Sequence, residues 1–393
     1  YLLENAGWQS QQTYPAVNNI LNIAAPQAEP GTLLLQTKDA GDLQVTRWEN
    51  GRLTYPKPWP PSESSSADRK ILALGMVGPT VWWAQRVGKD VDLYHWGPKE
   101  KSPSRIRFTG VGSKVENVQW LGGERILLKN KHSRTAKLAV NENGKTTISE
   151  PTHLKNLNLN ELVLYWINGK IQPARRTEGV LQWLGDDLHS VDQVMLPRGQ
   201  KLIDYVATGE GQGWALQEEG KRIHRMKADK TDVVRVTESI KLPGGGSLID
   251  EPVLGLILVG NGQIIKLGEG HAIELKLKDS LDHRNGQPSG RKNASIHRVG
   301  AADLTGNRSD ELILMDDLRH QMTILKTTDG GLKPHSSWPI FDDEKYPYGD
   351  EQSSPVVSEP RSVLPLDLDG DQQQDLALLC HDRVIIYLAN EKP

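Results

Sequence analysis

Apolar and polar residues alternate along the chain in short runs, each run followed by a polar or glycine-containing turn and then by a second alternating run. This is the pattern of an antiparallel hairpin with one face turned inward. Eight such units recur, at 33–48, 81–96, 125–140, 162–175, 214–226, 256–267, 312–326 and 376–388. Their first residues lie 48, 44, 37, 52, 42, 56 and 64 positions apart, near the roughly 40–50 residues that a four-stranded propeller blade occupies. Several units resemble one another. "LILVGNGQIIKL" from Leu256 aligns with "LALLCHDRVIIYL" from Leu376 once one turn residue is inserted, and "VQWLGGERILL" from Val118 echoes "LQWLGDDLHSV" from Leu181.

An isolated hairpin or single sheet exposes its edges and cannot bury both faces, whereas stacked sheets cover one another. The expected fold is therefore all-β, a single β-propeller of seven or eight blades closed by pairing between its terminal strands. A pair of β-sandwich domains is the rival, but sandwiches do not require their units to resemble one another. The propeller is placed at 31–393, after a lead-in at 1–30 that holds at most one short helix around 16–23. Two further segments break the rhythm: a Pro/Ser loop at 56–68, and a long loop at 332–362 carrying Trp338, Phe341, Tyr346 and Tyr348. A loop of that length is more than a connector needs, which marks it for function or disorder.

Composition agrees with many thin layers. Apolar residues make up 37%, below the usual range of about 45–50%, and 37 Gly with 23 Pro supply turns rather than helices. Lys and Arg total 47 against 50 Asp and Glu, for a net charge of −3. That balance offers no basic field for a nucleic-acid backbone. The longest apolar runs, such as that from Val253 to Gly260, are far shorter than the roughly 20 residues of a membrane-spanning helix. Cys380 is the sole cysteine and forms no internal disulfide. A first residue of Tyr1 rather than Met suggests a processed or truncated chain, removal of an export signal being the expectation it favours.

The strongest chemical signal is "LPLDLDGDQQQDLALL", in which Asp367, Asp369, Asp371 and Asp375 stand at positions 1, 3, 5 and 9 of a loop between two apolar strands. Alternate residues of a tight loop can turn to one centre, Gly370 permits the bend, and the Gln373 carbonyl at position 7 can complete an oxygen shell. Crowded carboxylates repel one another, and a hard divalent cation relieves that repulsion. Calcium suits such a shell better than magnesium, which prefers a strict octahedron with retained water. The flanking strands and the nine-residue length distinguish this loop from an EF-hand. A second copy lies 64 residues earlier, with Asp303, Thr305, Asn307, Ser309 and Glu311 in the equivalent places. With two carboxylates in register it reads equally well as a metal loop or as a turn tied by its own side chains.

"DLDGDQQQDLALL", and more loosely "DLTGNRSDELILM", resemble the FG-GAP or VCBS-type repeat of the integrin α-subunit propeller and of many bacterial secreted proteins. The resemblance covers the repeats at 363–388 and 299–326; the first 290 residues share only the hairpin rhythm. It implies a calcium-bearing propeller, secreted or otherwise extracytoplasmic, that binds other molecules. The chain departs from the pattern in lacking the phenylalanine-glycine pair and in carrying no acidic loop in its other units.

The remaining residues of interest have plainer readings. Trp48, Trp83, Trp96, Trp120, Trp166, Trp183 and Trp214 fall in or beside strands, where indoles wedge between sheets. Trp59 and Trp338 stand among prolines in expected loops and are better candidates for stacking on a ligand. No H-E-x-x-H, G-x-S-x-G or P-loop is present, and "NGKTT" at Asn143 reads as a hairpin turn. Cys380 reads as a buried thiol, and the eleven histidines are scattered.

These observations lead to a non-catalytic, calcium-stabilised propeller for protein or glycan recognition, with a structural ion held in one loop. A propeller enzyme acting on polysaccharide or phosphoester, and a structural subunit of a larger assembly, are the alternatives. Enzymatic activity is left open, because the side chains that meet at a propeller axis come from different blades.

Overall fold

In this computed structural model the chain is described at residues 12–13, 19–38, 41–59, 68–130, 136–150, 159–167, 170–177, 180–195, 202–209, 212–217, 222–228, 234–241, 247–251, 255–260, 263–268, 271–275, 296–307, 310–316, 321–328, 331–340, 360–380 and 383–389. Contacts divide it into two units, one of residues 1–15, 219–223 and 240–393, the other of residues 16–218 and 224–239. The architecture is all-β, a β-propeller arrangement of four-stranded antiparallel meanders; a single 3-10 turn at Leu159–Glu161 is the only helical element among the described residues.

The strands form seven sheets, and the eight-stranded one is two consecutive meanders, 162–195 and 202–241, joined by one parallel bridge between Val194 and Val234. The other meanders span 20–59, 69–108, 115–149, 247–275, 296–339 and 362–387. Gln12–Thr13 pairs with the last strand through Gln12 opposite Ile386 and Thr13 opposite Ile385, so a terminal strand completes the final blade. Each expected hairpin is present, seven as the two middle strands of a meander; the unit at 162–175 is instead the first two strands of its meander.

In the larger unit, successive apolar layers each draw on two consecutive meanders. Leu34, Leu43 and Val45 pack with Ile71, Val81, Trp83 and Tyr94. Leu72, Trp82, Leu93 and Phe108 pack with Val118, Trp120 and Ile126. Leu127 and Leu138 meet Leu162 and Leu184, and Leu181 and Trp183 meet Tyr205, Ala215 and Met226. Adjacent Trp82 and Trp83 thus enter different layers, which is the two-residue period of a strand written in core side chains. Middle strands such as Thr80–Val87 are buried along most of their length, while the outermost strand Lys145–Ser149 is largely exposed. In the other unit the same arrangement joins Ile313, Met315, Met322, Ile324 and Trp338 to Leu376, Leu378, Ile385 and Tyr387.

Four local expectations are corrected or refined. The helix around 16–23 is absent from its described part: Ile20–Ala24 is the first strand of the first meander, with Ile20 and Ile23 buried. Burial against the neighbouring strands overrides local propensity there. Of the long loop expected at 332–362, residues 332–339 lie instead on the strand Gly331–Pro339; Phe341, Tyr346 and Tyr348 lie outside the described residues. Trp59 and Trp338 are packing residues. Trp59 lies on the strand Lys57–Trp59, edge-on to Trp83 at 5.2 Å and parallel to Trp96 at 6.4 Å, and Trp338 is buried edge-on to Tyr387 at 5.3 Å. Of the tryptophans expected in the core, Trp83, Trp96, Trp120, Trp183 and Trp214 are buried and Trp48 is half-buried, but Trp166 is 41% exposed and lies over Gly78. "NGKTT" does form a hairpin turn, with Asn143 at φ 53° and Gly144 at φ 82°, and Cys380 is buried.

Trp83 is fully buried and stacked on Tyr94 at 4.9 Å. Its replacement by alanine is expected to cost about 3–5 kcal/mol, against less than about 1 kcal/mol for Trp166→Ala on the surface, as read by urea unfolding.

Candidate metal centre

Two hairpin loops with the same construction stand in consecutive meanders. In the last one, Ser362–Leu366 pairs antiparallel with Asp375–Leu379, Leu366 lying opposite Asp375. In the one before, Ile296–Ala302 pairs with Glu311–Asp316, Ala302 lying opposite Glu311. Each loop therefore ends on a carboxylate at the first residue of a middle strand, and each carboxylate is buried: Asp375 is 0% exposed and Glu311 1%.

The buried carboxylates do the same local job. Asp375 Oδ2 accepts the Leu368 N–H at 2.8 Å, and Glu311 Oε2 accepts the Leu304 N–H at 2.8 Å. Asp375 Oδ1 also accepts the Ala389 N–H at 2.8 Å, tying the loop to the chain beyond the third strand. Glu311 Oε1 accepts instead from the Thr305 hydroxyl at 2.9 Å. Burial pushes the Asp375 carboxyl up to about 7; the two N–H donors oppose this, and the negative Asp369 and Asp371 add to it. Glu311 is raised by burial in the same way, against the pull of Thr305 and the Leu304 N–H.

The backbone of 367–375 turns through two residues in the left-handed region, Gly370 at φ 84° and Gln372 at φ 72°. Asp367 holds that turn by accepting the Gly370 N–H at 2.8 Å and the Gln372 N–H at 3.2 Å. Asp369 accepts the Asp371 N–H at 3.2 Å, and Asp371 accepts the Gln373 N–H at 2.8 Å. The result brings oxygens of Asp367, Asp369 and Asp375 all within 4.8 Å of one another. Two oxygens on opposite sides of a calcium ion lie at most about 5 Å apart, given bonds of about 2.3–2.6 Å, so this spacing suits one hard cation. Asp369 is exposed as a residue, but partial desolvation of its carboxyl, with the negative Asp371 and Asp367 adding to it, raises that group.

Among the described residues this is the one group of three such ligands. Asp371 stands outside it. In the earlier loop, Asp303 Oδ1 accepts the Asn307 N–H at 3.1 Å, Thr305 is bonded to Glu311, and Ser309 lies outside the described residues. Sequence reasoning did not single out Gln374. Its Oε1 accepts the Asp303 N–H at 2.9 Å while its own N–H donates to the Asp303 carbonyl at 3.2 Å, so the two loops are clasped together. Gln373 packs on Gly306 across the same junction, its Cγ 3.2 Å from where a Cβ would stand. The only signal for Gln374 in the chain is its place next to Asp375.

No family model matches the chain, and no curated protein matches it. Among solved structures it is similar to Kluyveromyces lactis Hsv2 with loop 6CD replaced by a Gly-Ser linker, at 12% identity and a TM-score of 0.43, covering 82% of this chain and 100% of that one. It is similar to the β-propeller domain of Myceliophthora thermophila Cps50 (Swd1), at 10% identity and a TM-score of 0.43 over 96% and 98% of the two chains. It is also similar to a catalytically inactive virginiamycin B lyase from Staphylococcus aureus with quinupristin, at 13% identity and 0.42 over 83% and 97%. None of these likenesses bears on what this chain binds.

Because both Asp375 oxygens hold buried N–H groups, Asp375→Ala is expected to cost about 2–5 kcal/mol in urea unfolding, with or without metal. Asp375→Asn, which keeps one acceptor oxygen, is expected to lose less. Gly370→Ala meets no neighbouring atom but demands φ 84° of an alanine, and about 1–2 kcal/mol of backbone strain is the expected loss.

Proposed function

We propose that the chain is a calcium-braced β-propeller that works by recognition, binding a protein or glycan outside the cytoplasm. The observation that carries the metal part is the convergence of Asp367, Asp369 and Asp375 oxygens within 4.8 Å at a loop already folded around its own N–H donors. Asp371, two residues from Asp369 in the same turn, adds negative charge to the site. The ion's role is structural: it offsets the repulsion between the buried Asp375 and the more accessible Asp367 and Asp369. In the earlier loop, Asp303, Thr305, Asn307, Ser309 and Glu311 form the weaker counterpart, and the Gln374 clasp makes the two loops one mechanical element. No helix among the described residues is long and apolar enough to cross a membrane. A calcium-rich exterior suits a chain with an acidic loop of this kind.

The test is metal content by mass spectrometry on the purified chain, with thermal melts in chelator and after calcium is restored. One or two calcium ions per chain are expected. A hundredfold excess of calcium over its dissociation constant stabilises by about 2.7 kcal/mol, a rise of about 3 °C for a chain of 393 residues. Asp369→Ala is expected to abolish both the bound ion and the calcium-dependent shift. A wild-type chain without calcium, whose melt is indifferent to chelator, would remove the metal from the reading. Glycan and protein arrays probed in calcium and in chelator then ask whether recognition depends on the brace.

A further inference from the structure

In the meander at 202–241, three polar side chains from successive strands come together. Gln217 ends the strand Gln212–Gln217, His224 lies on Arg222–Ala228, and Ser239 lies on Val234–Lys241. His224 is 1% exposed, whereas Ser239 is exposed. The His224 Nδ1 is 2.7 Å from Ser239 Oγ, and its Nε2 is 3.4 Å from Gln217 Oε1. An amide carbonyl oxygen can only accept, so with Oε1 facing the ring the neutral imidazole is assigned the tautomer that carries its proton on Nε2. Nδ1 is thereby left with a lone pair, and the Ser239 hydroxyl donates to it.

A nucleophile within hydrogen-bond reach of a base, itself oriented by a third group, is the arrangement that activates serine hydroxyls. An amide in the third place fixes the tautomer and ring direction without burying another charge, as it does in Cys-His-Asn sites. We propose that Ser239 is an activated nucleophile, with His224 as its general base and Gln217 as the residue that positions the imidazole, and that the site takes activated carboxylic or phosphonic esters. As Ser239 Oγ bonds to the carbonyl carbon, its proton passes to His224 Nδ1. The bond to the leaving alcohol then breaks and the imidazolium returns that proton to the departing oxygen. Water attacks the acyl-serine next, again through His224, releasing the carboxylic acid and restoring the hydroxyl. The cycle needs only ester and water. It shares no residue with the metal loops, so it stands or falls apart from the calcium reading.

The experiment treats the whole chain with a fluorophosphonate probe, whose P–F bond breaks as Ser Oγ bonds to phosphorus, and locates the label by peptide mass mapping. Labelling of Ser239 is expected to be at least about 100-fold faster in the native chain than in the same chain unfolded in urea, the lower end of what a positioned base contributes. Ser239→Ala is expected to lose that label. His224→Gln is expected to slow labelling at least tenfold, and Gln217→Ala severalfold, with circular dichroism confirming that each variant folds. Slow turnover of p-nitrophenyl acetate is expected to follow the same order. Because His224 is buried, its variant could unfold; the native-to-unfolded ratio and Gln217→Ala then decide. A ratio near one, label spread over other serines, or an undiminished rate in a folded His224→Gln would overturn the proposal and leave the three residues as a hydrogen-bonded row of the sheet.

Discussion

Every other feature depends on one constraint: a four-stranded sheet of this chain has two apolar faces and no means of covering either. Trp82 and Trp83 make the point within two residues, since one side chain belongs to the layer with Trp120 and Ile126 and the other to the layer with Leu34 and Val45. Within each unit the layers lie between consecutive meanders, so the fold is held by a succession of thin layers rather than by one core. This is how a chain with 37% apolar residues buries enough surface. At about 25 cal/mol per Å² of apolar area removed from water, a layer of a dozen side chains outweighs any single hydrogen bond at its rim.

Thin layers also dictate where polar chemistry can stand. Middle strands are buried along most of their length, so a charged group there must be paired at once, as Asp92 is by Arg105 at 2.9 Å and Arg107 at 2.8 Å. Asp375 and Glu311 solve the same problem with backbone donors. Each begins a middle strand, and each spends an oxygen on the N–H of the second residue of its own loop. That bond fixes the loop's return path, and in the last meander oxygens of Asp367 and Asp369 come within 4.8 Å of Asp375 while Asp371 turns to the Gln373 N–H. The acidic cluster is thus a by-product of closing a hairpin onto a buried carboxylate, and the spacing 1, 3, 5, 9 is legible in the sequence because the loop is local.

What the sequence shows and what it hides follow from the range of the interactions. Period-two alternation is local, and all eight hairpins were legible from it. The positive-φ turn at Asn143 and Gly144 and the folded loop at 367–375 are also local, because a glycine or an aspartate acts on its own backbone. The strand Ile20–Ala24, where at most a short helix was expected, is held by pairing with Thr32–Thr37 and by the Asn22 amide on the Leu74 carbonyl, 52 positions away. Trp59 and Trp338 misled for the opposite reason: prolines around them suggested loops, but Pro58 and Pro339 sit within strands. Gln374 and the Gln217, His224, Ser239 row were invisible, being contacts across 71 positions in one case and across three strands in the other.

The Gln374 clasp connects these levels. A loop bonded only to itself can open alone, as the low-stability parts of proteins do. Asp303 and Gln374 instead exchange two hydrogen bonds between consecutive meanders, beside the contact of Gln373 with Gly306. Opening either loop then exposes polar groups of the other, and the cost of that exposure is shared. The apolar layer of Ile313, Met322 and Trp338 with Leu376 and Tyr387 lies between the same two meanders. Loop and layer therefore reinforce one another: the layer sets the distance at which the clasp can form, and the clasp keeps the ends of the layer from parting. An ion at Asp367, Asp369 and Asp375 would act on both through a path only one residue long, from Asp375 to Gln374.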